Sequence, residues 1–175
     1  MSEKSTSERF EDSQLKGLGG WLILVGICVV LGPVYFLAEP LGVFLPLLSD
    51  GILEALTTPG TADYIPYFGL VVGCEAVVSL VLLLFSLLLT ALFFKKHYAF
   101  PKAFISFRVF IHLWVLLDSW LCLEVLHVPF FNREEAMQFF SSVIVSVVWI
   151  LYMLKSKRVK LTFVHGEKGS GGNLF

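Results

Sequence analysis

GLVVGCEAVVSLVLLLFSLLLTALFF, residues 69–94, decides the class of this protein. The stretch carries one charge, Glu75, in 26 residues and ends against Lys95 and Lys96. As a helix rising 1.5 Å per residue it reaches roughly 39 Å, beyond the ~30 Å of a bilayer's hydrocarbon. A soluble domain of this size has no use for a helix that is apolar on every side. The stretch is therefore read as a membrane span, and the rest of the chain with lipid as its solvent.

Composition points the same way: of 175 residues, 57% are hydrophobic and 15% charged, against roughly a quarter charged in ordinary soluble proteins. The net charge of −1 provides no field for nucleic acid, and none is expected as a partner. With three further apolar stretches the spans fall at about 18–37, 69–94, 104–126 and 137–154. The expected fold is all-α, a four-helix transmembrane bundle occupying 17–155. A polar tail (1–16) precedes it and a basic tail (156–175), expected to be flexible, follows.

Lys and Arg orient the spans, because they resist translocation. Lys4, Arg9 and Lys16 precede the first span, and Lys95, Lys96, Lys102 and Arg108 surround the link between spans two and three. Lys155, Lys157, Arg158, Lys160 and Lys168 follow the fourth, so 12 of 13 basic residues share one side and only Arg133 lies opposite. Both termini are expected in the cytoplasm. The long acidic leader, with Glu3, Glu8, Glu11 and Asp12, does not fit a cleavable signal.

The outer loop 38–68 has no Lys or Arg, four acids and prolines at 40, 46, 59 and 66. Its apolar part, 41–56, is too interrupted to span and is expected to form an interfacial or re-entrant helix. In the first span Gly19, Gly26 and Pro33 recur at sevens, a face suited to close helix packing. Cys28, Cys74 and Cys122 all lie in spans without metal-type spacing and read as buried apolar thiols.

The polar residues of span two are ordered. Glu75, Ser79, Ser86 and Thr90 fall within about 60° of one another at 100° per residue. Hydroxyls bonding the preceding turn or a neighbouring helix account for the Ser and Thr. A carboxyl in a span costs a few kcal/mol unless it is paired, hydrated or protonated, which marks Glu75. Span three carries His112, Asp118 and Glu124, with Arg108 at its cytoplasmic end. Asp118 and Glu75 fall within ~3 Å of the same depth, so they would share a proton if they approach. Glu124 and His127 form an outer polar cluster that snorkels to water. Asn132, followed by Glu134 and Glu135, is positioned to cap the last span, on which Ser142, Ser146 and Trp149 share a face. Lys95, Lys96, Lys155, Lys157, Arg158 and Lys160 form a collar suited to anionic lipid headgroups.

Three segments carry a resemblance: LKGLGGWLILVGICVVLGP at the start, LFFKKHYAFPK at the central turn and VVWILYMLKSKRVKLTFV at the end. In order and spacing they resemble the bacterial domain-of-unknown-function 2569 family (DUF2569, YdgK-like inner-membrane proteins) over roughly residues 15–164. Glu75 and Asp118 also resemble the family's pattern of an early glutamate in span two and an aspartate in span three. The resemblance implies four helices in a bacterial inner membrane and implies no reaction.

No phosphate loop, nucleophile elbow, HExxH or paired CxxC is present, so an enzyme is not expected. Haem would require imidazoles on facing spans, and only span three offers any; no cofactor or metal is expected. Two classes of function remain. One is an interaction component that self-associates or joins a larger membrane complex through small-residue and polar seams. The other is a proton-coupled transport or ion-translocation component using Glu75 and Asp118. Four spans are few for an autonomous transporter and no inverted repeat is visible, which favours the interaction reading at this level.

Overall fold

The computed structural model describes residues 17–165, so the polar leader and the Gly-rich end of the chain lie outside the described residues. The described elements are α1 (Trp21–Ser49), α2 (Ile52–Thr57), α3 (Phe68–Phe94), α4 (Phe100–Leu126), α5 (Arg133–Lys155) and α6 (Lys157–Thr162). Of these α1, α3, α4 and α5 are long and apolar enough to cross a membrane. The chain is an all-helical, multi-pass membrane protein.

The first span is longer than its sequence suggests. α1 continues for 29 residues through Pro33, Pro40 and Pro46, absorbing the first half of the expected interfacial helix. Each proline removes one backbone donor, but unpaired peptide groups in lipid cost several kcal/mol apiece, so a continued helix is the better state. The Asp50 N–H closes it by donating to the Pro46 carbonyl at 3.1 Å. Gly51, with φ 67°, then turns the chain, a left-handed geometry that favours glycine. What remains of the helix in the first outer loop is the six-residue α2. It is held back toward α3 by the Ile65 N–H donating to the Leu56 carbonyl at 3.0 Å.

Along the bundle α1 packs on α3, α3 on α4, and α4 on α5. Without a hydrophobic drive between helices in lipid, close backbone approach and interhelical hydrogen bonds hold these pairs. Gly26 permits one such approach: a Cβ there would stand 2.9 Å from Phe93 Cζ. Thr90 Oγ1 supplies a bond, lying 2.9 Å from the Val29 carbonyl of α1 and equally far from the Ser86 carbonyl of its own helix.

The buried core gathers where α3 turns into α4. Leu22, Phe93, Phe100, Val159 and Phe163 are at most 5% exposed, and the Phe100 and Phe163 rings stack with centroids 4.6 Å apart. The segment expected to be a flexible basic tail is, up to His165, part of this closure. Ser156 caps α6 by accepting from the Val159 N–H. Thr162 Oγ1 lies 3.2 Å from both the amide and the carbonyl of Gly17. The His165 N–H donates to the Lys96 carbonyl and its carbonyl accepts from the Tyr98 N–H. The helical spacing i, i+3, i+4 explains this: Val159, Thr162 and Phe163 face inward while Lys157 and Lys160 stay exposed. Lys95, Lys96, Lys157, Arg158 and Lys160 gather here and make this the basic end of the bundle.

At the opposite end Asn132 caps α5 in a full capping box, its side chain accepting from the Glu135 N–H at 2.9 Å while Glu135 accepts from the Asn132 N–H at 3.0 Å. Cys28 and Cys74 lie on exposed faces, where lipid can cover a thiol as well as protein can, rather than in the core.

Candidate functional site

Away from the basic end, α1, α3 and α4 leave between them a half-enclosed cavity of about 680 Å³. Each helix contributes an acid to its wall: Glu39 from α1, Glu75 from α3 and Asp118 from α4. The helices run antiparallel, so Glu75, seven residues after the start of α3, meets Asp118, eight before the end of α4. Both then stand roughly 10–12 Å from that end along the axis. The two carboxyls and the Cys122 thiol each place a polar atom within 4.8 Å of the other two. These three offer a mixed set of donors that Glu124 and His127 do not join. Asp118 Oδ1 is buried and lacks a hydrogen-bond partner among the described residues.

The cavity continues toward the basic end past Ser79 and Ser86 to Phe104, Phe107 and Arg108. Arg108 is ten residues before Asp118 on α4, roughly 15 Å along the axis. Its guanidinium carbon lies 5.5 Å from the centroid of the Phe104 ring, a weak cation–π contact. Guanidinium does not lose its proton in proteins, so this cation in an apolar wall is permanent. The cavity therefore has an acidic half and a single fixed positive charge in its other half.

Asp118 also lines a second cavity of about 680 Å³, between α4 and the start of α5. Tyr35 and Val115 stand in both walls, so Asp118 is reachable from two sides. The second cavity is edged by Asn132, Glu135 and Gln138, polar side chains at the open end of the bundle.

Of the residues singled out in the sequence, Glu75, Ser79, Ser86 and Asp118 come together in one cavity wall. Thr90 does not join them and instead ties α3 to α1. Ser86 donates to the Leu83 carbonyl at 2.7 Å, satisfying its hydroxyl locally. Glu124 and His127 are exposed, and His127 ends α4 in the left-handed region. His112 bridges α4 and α5, its Nδ1 2.6 Å from the Arg108 carbonyl and its Nε2 3.2 Å from Ser142 Oγ. On α1, Gly26 receives Phe93 and Pro33 is half-buried. Gly19 lies under Arg158, whose Nη1 would be 2.7 Å from a Cβ there. This small-residue face is thus occupied within the chain, which leaves less of it for a partner helix. In the collar Lys95, Lys155, Lys157 and Lys160 are exposed, Lys96 is half-buried, and Arg158 is half-buried against the entry to α1.

Sequence reasoning missed Arg108 and Glu39 as cavity residues. A span starting at Phe104 leaves Arg108 near a helix end, whereas α4 begins at Phe100 and carries it deeper. Phe100, Phe104 and Phe107 lie at helical spacing, and that signal could have moved the boundary. Glu39 was hidden by Pro40, read as a loop signal.

The family model described as protein of unknown function DUF2569 matches residues 15–164. The chain belongs to this family. No curated protein and no solved structure matches it. The cavity holds carboxyls from separate helices close together in a weakly polar setting, with wall space for water or a ligand.

Proposed function

We propose that this chain is a proton-binding component of a membrane transport process, taking up and releasing protons at the Glu75–Asp118 pair. The observation that carries the reading is the meeting of these carboxyls across α3 and α4 on a cavity wall. Two negative charges this close in a medium of low dielectric repel strongly, and a proton held between them relieves the repulsion. A bundle serving only to bind other helices has no need of the pair. With four spans the chain would act as a dimer or with a membrane partner rather than alone. It would carry no enzymatic activity. We place it in a bacterial inner membrane with both termini in the cytoplasm, on the charge bias of its loops, and the collar lysines on anionic headgroups. A reporter fused after Phe175 is expected to be active only as a cytoplasmic enzyme; periplasmic activity would reverse the orientation.

The proton reading is tested by infrared difference spectroscopy of the purified protein in lipid nanodiscs as buffer moves from mildly alkaline to mildly acidic. A carboxylic C=O band should appear in the parent protein and be lost or shifted in both Glu75→Gln and Asp118→Asn. If the parent spectrum shows no band that either substitution alters, these carboxyls do not exchange protons and the proposal fails.

A further inference from the structure

We propose that the α1–α3–α4 cavity binds an amphipathic organic anion, one carboxylate, sulfonate or phosphate on an apolar body, with its charged group on Arg108, and that binding strengthens when the acidic half takes up protons. The inference deepens the reading above and rests on it. It begins from Arg108. This guanidinium sits about 12 Å into α4 on the wall of an apolar chamber, over the Phe104 ring, and stays charged. A cation at such a depth requires water or an anion, and a planar fork of donors matches an oxyanion best. The surrounding wall of Leu82, Leu89, Phe107 and Ile111 suits a hydrocarbon body. A volume of about 680 Å³ falls in the range that holds a drug-sized molecule, within ~300–1,000 Å³.

Charge balance supplies the coupling. On α1 the titratable groups in the wall are Glu39, Tyr35 and Cys28; on α3, Glu75; on α4, Arg108 and Asp118 with Cys122 beside it. Across the second cavity α5 adds Glu135. With the three wall acids ionised the charges sum to −2 and an anion is repelled. With Glu75 and Asp118 protonated only Glu39 and Arg108 remain charged, the sum is zero and the repulsion is lifted. Protons and anion would then enter together, and each would raise the affinity for the other.

The test uses decanesulfonate, which stays ionised across the pH range, titrated calorimetrically into the protein in zwitterionic-lipid nanodiscs against empty nanodiscs. The parent protein should bind about tenfold more tightly in mildly acidic than in mildly alkaline buffer, as expected for neutralising nearby like charge. The Glu75→Gln/Asp118→Asn double variant should bind tightly with little pH dependence. Arg108→Gln should lose binding, while Arg108→Lys, which keeps the charge but not the fork, should keep part of it. Parent binding no stronger than that of Arg108→Gln would overturn the inference. Pair-dependent carboxyl titration without Arg108-dependent binding would sink this inference alone; Arg108-dependent binding with no titrating carboxyl would sink the proton reading and with it the coupling. Phosphatidylglycerol in the nanodiscs separates the sources. Arg108-dependent displacement of decanesulfonate assigns the site to a lipid headgroup phosphate, and undiminished binding assigns it to a free amphiphile.

Discussion

The two ends of this bundle use the same helices to opposite effect. At the basic end Phe93, Phe100 and Phe163 fill the space between α1, α3 and α4, and the short α6 closes it beneath them. Toward the other end the same helices diverge around Glu39, Glu75 and Asp118, and two cavities remain. Stability and chemistry are thus assigned to different depths of one small protein. An aromatic in a filled site has one arrangement, whereas a carboxyl in an open one can change its charge without forcing helices to repack.

That contrast can be broken by substitution, and the largest effect is expected at the closed end. Phe100 is fully buried between Phe93, Phe104 and Phe163. Phe100→Ala should destabilise the bundle by about 3 kcal/mol, the usual size for emptying an aromatic site. Reversible unfolding in mixed detergent micelles measures it, and a loss below about 1 kcal/mol would mean that the closed end does not hold the helices together.

The smallest effect is expected at the open end. Glu75→Gln and Asp118→Asn should each cost no more than about 0.5 kcal/mol of stability in the same assay at neutral pH, because Asp118 Oδ1 has no hydrogen bond to lose among the described residues, each amide occupies the same volume and either change removes a repelling charge. A loss comparable to that of Phe100→Ala would show the acids to be structural, erase the distinction between the ends and return the interaction reading to first place.

The sharpest expectations from sequence concerned residues whose surroundings leave no choice. Residues 69–94 are apolar on every face, so α3 follows from the need to pair each backbone group in lipid. Asn132 and Glu135 announce the start of α5 because capping is local chemistry. The helical period alone placed Glu75, Ser79 and Ser86 on one wall. Boundaries were less legible. Pro40 and Pro46 argue for a loop after residue 37, yet lipid makes a helix with missing donors preferable to an unpaired chain, and α1 runs to Ser49. Likewise a run of basic residues read as a free tail, whereas Val159 and Phe163 needed a neighbour, and α3 and α4 supply it.

The amino-acid order by itself determined four apolar helices, their sequence along the chain and the matching depth of Glu75 and Asp118, because hydrocarbon penalises every exception residue by residue. Only the tertiary structure decided that Glu75 and Asp118 meet, that Gly26 is spent on Phe93 and that Arg108 shares a cavity with three acids. Those facts depend on how each helix is rotated about its own axis. Uniformly apolar faces leave that rotation undetermined until helices from distant parts of the chain pack against one another.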